Sequence, residues 1–221
     1  LYAKACIVME ASTGNVLFSH EADTQHYPAS TTKIMTALLA MENCGLDEMV
    51  TVPHEAVYMD DKGSHIALDE GEELTVEDCL YGMMLASAND AAYALAVHVG
   101  GTIENFADMM NKRAKELGCQ DSNFVNPHGL PDERHVSSAY DMALITREAL
   151  KHEIFRTVSK TVYYEIQPTD KQPDLIPMSN HHKMLCSGKY HYDGVFAGKT
   201  GYTVVAKNTL VTCAARDDME L

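Results

Sequence analysis

The sequence predicts an α+β fold: an antiparallel sheet built from the two chain ends, helices on its faces, and a helical subdomain. Strand-like runs of β-branched and aromatic residues gather near both termini, around Ile7-Val8 and again from Thr161 onward. Between them, apolar residues recur mostly at helical spacing. No internal repeat or low-complexity stretch intervenes, so residues 1–221 read as one domain.

Residues 4–10 read as a buried strand, Ser12-Thr13-Gly14-Asn15 as a turn, and residues 16–19 as the returning strand of a hairpin. Residues 30–41 form a helix apolar on nearly all sides, which belongs in an interior. Val50-Thr51-Val52 and His65-Ile66-Ala67-Leu68 are short strand candidates. Thr75 is an N-cap, with Asp78 in the first turn of a helix that runs to about Leu85. A second helix covers about 90–99 and stops at Gly100-Gly101. Thr102 caps a third, in which Ile103, Phe106, Met110, Ala114 and Leu117 share a face before Gly118 ends it. Residues 124–136 are a Pro/Gly-rich loop, and Ser138 opens a helix through about Leu150. Residues 161–166 read as a strand. Residues 194–197 and 209–215 bracket a Gly-rich turn like the arms of a hairpin. Arg216-Asp217-Asp218 is turn chemistry, and Met219-Glu220-Leu221 begins a further strand, so the domain is expected to be incomplete at its C-terminus.

The chain carries a formal net charge of −15. That argues against nucleic acid, whose affinity comes mainly from Lys and Arg neutralising phosphates. No apolar run approaches the ~20 residues of a membrane-spanning helix, and no signal peptide opens the sequence. Membrane association is expected only through segments outside it. Six cysteines stand far apart with no CxxC, so they are expected to act mainly as small buried hydrophobes. Residues 54–58 lack the second histidine of HExxH, and His181-His182 are expected at the surface, so no metal or other cofactor is expected. Met35, Met41, Met83, Met84, Met109 and Met110 are expected as core filler.

Three short motifs stand in order: SxxK (Ser30, Lys33), SxN (Ser87, Asn89) and KTG (Lys199, Thr200, Gly201). Positions i and i+3 of a helix are surface neighbours, with Cβ atoms ~5–6 Å apart, so the Lys33 amine can reach the Ser30 hydroxyl. Burial lowers a lysine pKa, and Lys33, followed by Ile34 and Met35 in an apolar helix, can be tuned toward a general base. An isolated SxxK is more often a capping serine and a solvated lysine, but this helix offers no polar face. SxN supplies a second hydroxyl and an amide for a substrate peptide group. KTG supplies a cation and a hydroxyl for a carboxylate, plus a glycine that lets a ligand lie close to a strand. Taken alone, each of these two motifs says little.

In combination and in this order they match the signature of penicillin-binding proteins and class A β-lactamases. Residues 28–37, 87–92, Asn126-Pro127-His128-Gly129-Leu130 and 198–203 closely resemble the low-molecular-mass D-alanyl-D-alanine carboxypeptidases. The resemblance covers nearly the whole chain and implies a β-lactamase/transpeptidase-like fold. It also implies a serine carboxypeptidase acting outside the cytoplasmic membrane on peptidoglycan stem peptides ending in D-Ala-D-Ala, and acylated by β-lactam antibiotics. Ser30 would be the nucleophile, Lys33 its base, Ser87 and Asn89 one wall of the cleft. Lys199 and Thr200 would hold the terminal carboxylate, and the backbone N–H groups of Ser30 and Tyr202 the oxyanion. His128 would serve structural hydrogen bonding. Ala88 departs from the glycine more usual there, but its side chain has no role in that mechanism. A class A β-lactamase would need SDN and an ExxLN loop, and neither occurs here. A non-catalytic penicillin-binding sensor or scaffold domain is the rival from another class, and turnover of a D-Ala-D-Ala peptide distinguishes it.

Overall fold

A helix that is apolar all round has to be surrounded, and α1 (Lys33–Asn43) is. Every residue from Lys33 to Ala40 is buried. In the computed structural model, which describes residues 2–60 and 63–221, α1 is packed by α3 (Val76–Leu85), α4 (Asn89–Gly100), α5 (Ile103–Glu116), α6 (Ala139–Ala149) and α7 (Glu153–Lys160). A short helix, α2 (His54–Val57), lies against α4. Arg113 on α5 ties three of these helices at the surface, donating to Glu42 of α1 at 2.7 Å and Glu148 of α6 at 3.0 Å.

The predicted caps are in place. Asp78 N–H donates to Thr75 Oγ1 at 3.0 Å, Asn105 N–H to Thr102 Oγ1 at 3.1 Å, and Asp141 N–H to Ser138 Oγ at 3.1 Å. Each satisfies an amide that the first turn of a helix leaves without a partner. Phe106, Met110 and Ala114 are buried on the predicted face of α5, flanked by partly buried Ile103 and Leu117. Met35, Met83, Met84 and Met110 fill the core, with Met41 and Met109 at its margin.

All strand pairings are antiparallel: β1 (Cys6–Met9) with β2 (Val16–His20), β3 (Met49–Thr51) with β4 (Glu73–Thr75), β5 (Tyr163–Ile166) with β6 (Ile176–Ser179), and β7 (Val195–Thr203) with β8 (Lys207–Arg216), which also pairs β9 (Met219–Glu220). The two chain ends meet where Ala11 N–H donates to the Glu220 carbonyl at 2.8 Å. Arg156 of α7 holds the same segment by donating two hydrogen bonds to the Glu220 carboxylate, at 3.0 and 2.7 Å. The α+β class is thus as the sequence predicts.

Several local expectations are corrected. The first strand is only partly buried: Met9 is buried, Cys6 and Ile7 are half-buried and Val8 is exposed, with α6 packed against β1. Residues 65–68 are not a strand. Their Ile66 and Leu68 amides donate instead to the buried Asp90 carboxylate, at 3.1 and 3.2 Å, so a side chain takes the place of a neighbouring strand. Helix α7 and strand β6 were not foreseen. The helix carries Phe155 and Val158 three apart on its buried side; the strand is disguised by Pro177, tolerated because β6 pairs on one side only.

Candidate active site

Pro28 leads into a tight 3-10 turn, Ala29–Thr32, from which α1 departs at Lys33. Ser30 therefore sits ahead of the α-helix, not in its first turn as expected. The difference favours the contact, because three residues per turn place i and i+3 directly over one another. Lys33 Nζ lies 3.2 Å from Ser30 Oγ. The turn is held from several sides: the Pro28 carbonyl accepts from Thr31 Oγ1 at 2.7 Å and from Thr209 Oγ1 on β8 at 2.9 Å. Ala29 adopts φ 50°, a left-handed conformation costly for a residue with a Cβ.

Lys33 is wholly buried, and no carboxylate touches its amine among the described residues. Besides Ser30 Oγ, its Nζ meets two acceptors, Asn89 Oδ1 at 2.6 Å and the His128 carbonyl at 2.8 Å. Burial pushes its pKa well below 10.5, the charge of Lys199 pushes the same way, and Asp90 opposes them. A neutral amine has two N–H groups and one lone pair. The two carbonyl oxygens take the N–H groups, which leaves the lone pair for the Ser30 proton.

Ser87 lies between α3 and α4 at φ 61°, again left-handed without glycine. Its Oγ accepts from Lys199 Nζ at 3.0 Å, and the same amine donates to the Thr200 carbonyl at 2.9 Å. Lys199 is 1% exposed, and burial pulls its pKa down to about 7. The site thus contains two lysine–serine pairs, Lys33–Ser30 and Lys199–Ser87.

KTG lies within β7, opposite Val211, Leu210 and Thr209 of β8, and the connecting turn is at 204–206. The Gly-rich stretch expected as a turn is therefore strand. Its glycines answer to close approach instead: a Cβ on Gly201 would stand 2.8 Å from Ser30 N and 2.3 Å from Thr209 Oγ1. Thr200 is partly buried and Tyr202 is exposed on the same strand. So Ser30, Lys33 and Asn89 share one set of hydrogen bonds, Lys199 and Ser87 share another, and Gly201 of β7 lies against Ser30, with Lys199, Thr200 and Tyr202 on the same strand.

Other supports were not read from the sequence. Thr36 Oγ1 donates to the Pro127 carbonyl at 2.6 Å, and Thr32 Oγ1 is 2.9 Å from His135 Nε2. These pin the loop of residues 124–136 against the turn and the first residues of α1. Gly129, at φ 86°, is there because a Cβ would overlap the Ala29 carbonyl oxygen at 1.8 Å. His128 is buried and kept neutral, chiefly by burial, and its Nδ1 accepts the Leu130 N–H at 3.2 Å, in keeping with a structural role. His182 corrects an expectation: it is buried, not at the surface. It binds Thr212 Oγ1 at 2.9 Å beneath Gly198, whose missing Cβ makes room for the ring. His181 is exposed, as expected. The cysteines are all free; Cys79, Cys119 and Cys213 are buried, whereas Cys6, Cys44 and Cys186 are only partly so.

Comparisons with known proteins place this geometry in context. Residues 1–221 match the family described as D-alanyl-D-alanine carboxypeptidase. The chain is 40% identical to the D-alanyl-D-alanine carboxypeptidase DacF of Bacillus subtilis (strain 168), with 98% of this chain and 55% of that protein aligned. It is 35% identical to the D-alanyl-D-alanine carboxypeptidase of Streptomyces sp. (strain K15), covering 94% of this chain and 75% of that one. Among solved structures, the Streptomyces K15 DD-transpeptidase superposes with a TM-score of 0.91 at 32% identity, over all of this chain and 87% of that one. The chain thus spans little more than half the length of DacF.

Proposed function

The chain belongs to the D-alanyl-D-alanine carboxypeptidase family, and from that premise we propose that it is the penicillin-binding catalytic domain of a serine enzyme that removes the terminal D-alanine from peptidoglycan stem peptides. The observation that carries the reading is the wholly buried Lys33 amine, 3.2 Å from Ser30 Oγ, with its pKa pushed well below the usual lysine value.

In the proposed reaction Ser30 Oγ attacks the carbonyl carbon between the last two D-alanines as its proton passes to the Lys33 lone pair. The carbonyl oxygen becomes an oxyanion held by the backbone N–H groups of Ser30 and Tyr202. Support for that pairing is the approach of β7 to the turn at Gly201, the residue before Tyr202. Collapse of the tetrahedral centre breaks the C–N bond, and the departing D-alanine nitrogen takes a proton relayed through Ser87, which Lys199 orients. Water then hydrolyses the Ser30 ester and regenerates the serine. No cofactor enters any step.

Asn89 is assigned to the cleft wall, and Lys199 with Thr200 to the substrate's free carboxylate. A carboxylate arriving beside Lys199 favours the ammonium form, so binding raises the pKa that burial has lowered to about 7. β-Lactams would acylate Ser30 by the same route. Substrate of this kind places the enzyme outside the cytoplasmic membrane; no helix among the described residues is long and apolar enough to cross one. The test is intact-mass measurement after penicillin treatment, with mapping of the labelled residue. A stable adduct on Ser30, absent in Ser30→Ala, is expected, and an unchanged adduct in that variant refutes the assignment.

A further inference from the structure

We propose that Cys44, Glu48 and His98 form a site for a borderline divalent cation such as Zn2+, which fastens the far end of α1 to the far end of α4. The candidate ligand atoms of these three side chains all lie within 4.8 Å of one another. His98 Nε2 and Glu48 Oε2 are 3.4 Å apart. Ligands ~2.0–2.2 Å from a tetrahedral zinc stand about 3.4 Å from each other, so this nitrogen and oxygen are already at ligand spacing. The thiol sulfur, within 4.8 Å of both, needs to close by at most on the order of 1 Å to complete the set.

The chemistry of the donors selects the metal class. One sulfur, one imidazole nitrogen and one carboxylate oxygen suit Zn2+, whereas Ca2+ and Mg2+ take oxygen. Glu48 is also oriented from outside the set: its Oε1 accepts the Gly45 N–H at 2.5 Å, which leaves Oε2 for a cation. Entry of the metal displaces the Cys44 thiol proton to solvent, and the thiolate and carboxylate then balance the two positive charges. The fourth position is left to water. The net charge of −15 draws cations toward the chain in any case.

Position supplies the consequence. Cys44 directly follows α1, His98 lies in the last turn of α4, and Glu48 immediately precedes β3. At their opposite ends these two helices begin with Lys33 and Asn89, which are 2.6 Å apart in the candidate active site. An 11-residue helix is ~16 Å long, so the cation acts as a distant clamp on the pair and takes no part in chemistry.

The test uses the whole chain, stripped of metal by a chelator and titrated with Co2+ and Zn2+. One ion per chain is expected, with a thiolate-to-cobalt charge-transfer band, a rise in the thermal midpoint with Zn2+, and slower alkylation of Cys44. Cys44→Ser removes the band, and His98→Ala weakens binding on the order of 100-fold or more, since even outer-shell partners are worth 10–100-fold. Protection of Cys44 from alkylation is read on the unaltered chain, so it decides the matter even if a variant folds poorly. No cobalt band and no protection of Cys44, or metal affinity unchanged from wild type in both Cys44→Ser and His98→Ala, overturns the proposal.

Discussion

Replacing Lys199 with methionine keeps the length and apolar stem of the side chain and removes its charge, so it isolates what burying an ammonium group costs this fold. Burial moves Lys199 from 10.5 to about 7. At about 1.4 kcal/mol per unit, the charged form is disfavoured in the folded chain by about 5 kcal/mol. The sign follows from proton counting. Between pH 7 and 10.5 the unfolded chain holds a proton that the folded chain has released, so wild-type stability rises with pH through that window. Below it the whole penalty is present, and above it none remains. Lys199→Met never carries the penalty, but it leaves Ser87 Oγ without its donor, which costs about 1–3 kcal/mol. The variant is therefore expected to be more stable than wild type by about 2–4 kcal/mol near pH 6, with the advantage gone near pH 10. With no tryptophan in the chain, the assay is urea unfolding followed by circular dichroism at several pH values. A difference independent of pH, or a variant less stable at the acidic end, would falsify the account. Loss of peptide turnover by the same variant would mark the lysine as kept for function at the expense of stability.

Lys33→Arg keeps the charge but cannot release a proton near neutral pH, so penicillin acylation of Ser30 is expected to fall to a small residue, and near wild-type rates would refute Lys33 as base. Acylation by wild type is expected to rise with pH through a lowered Lys33 pKa. Lys199→Ala should lower kcat/KM for a free-acid peptide by about 2–5 kcal/mol equivalent and much less for the amidated peptide; equal losses on both would show that Lys199 acts on the chemistry or the fold. In Gly129→Ala the new Cβ meets the Ala29 carbonyl 1.8 Å away at a left-handed φ, so both thermal stability and acylation should drop; a silent substitution would mean that loop 126–130 does not brace the turn. Thr75→Ala should cost about 1 kcal/mol through the lost cap of α3, with acylation unchanged.

Much of this protein is legible in its sequence because the signals are local. Thr75, Thr102 and Ser138 are caps whose partners lie three residues on. The interior position of α1 follows from its composition, and the Ser30–Lys33 contact from a three-residue spacing. The three motifs, read in order, pointed to Lys33 with Asn89 and to Lys199 with Ser87, pairs that are far apart in sequence and hydrogen-bonded in the structure. What the sequence could not show depends on partners far along the chain. Residues 65–68 have the composition of a strand, but Asp90, more than 20 residues away, takes their amides. The glycines of β7 resemble a turn until Ser30 and His182 are seen lying where their side chains would be. His182 looks like a surface residue until Thr212 and the underside of β7 enclose it. The shift of Lys199 to about 7 was equally hidden, because desolvation is set by everything packed around a group and not by its neighbours in sequence. Local propensity and spacing chose the helices and caps and set Lys33 beside Ser30; only close packing between distant segments decided which polar groups lost their water and how far their proton affinities moved.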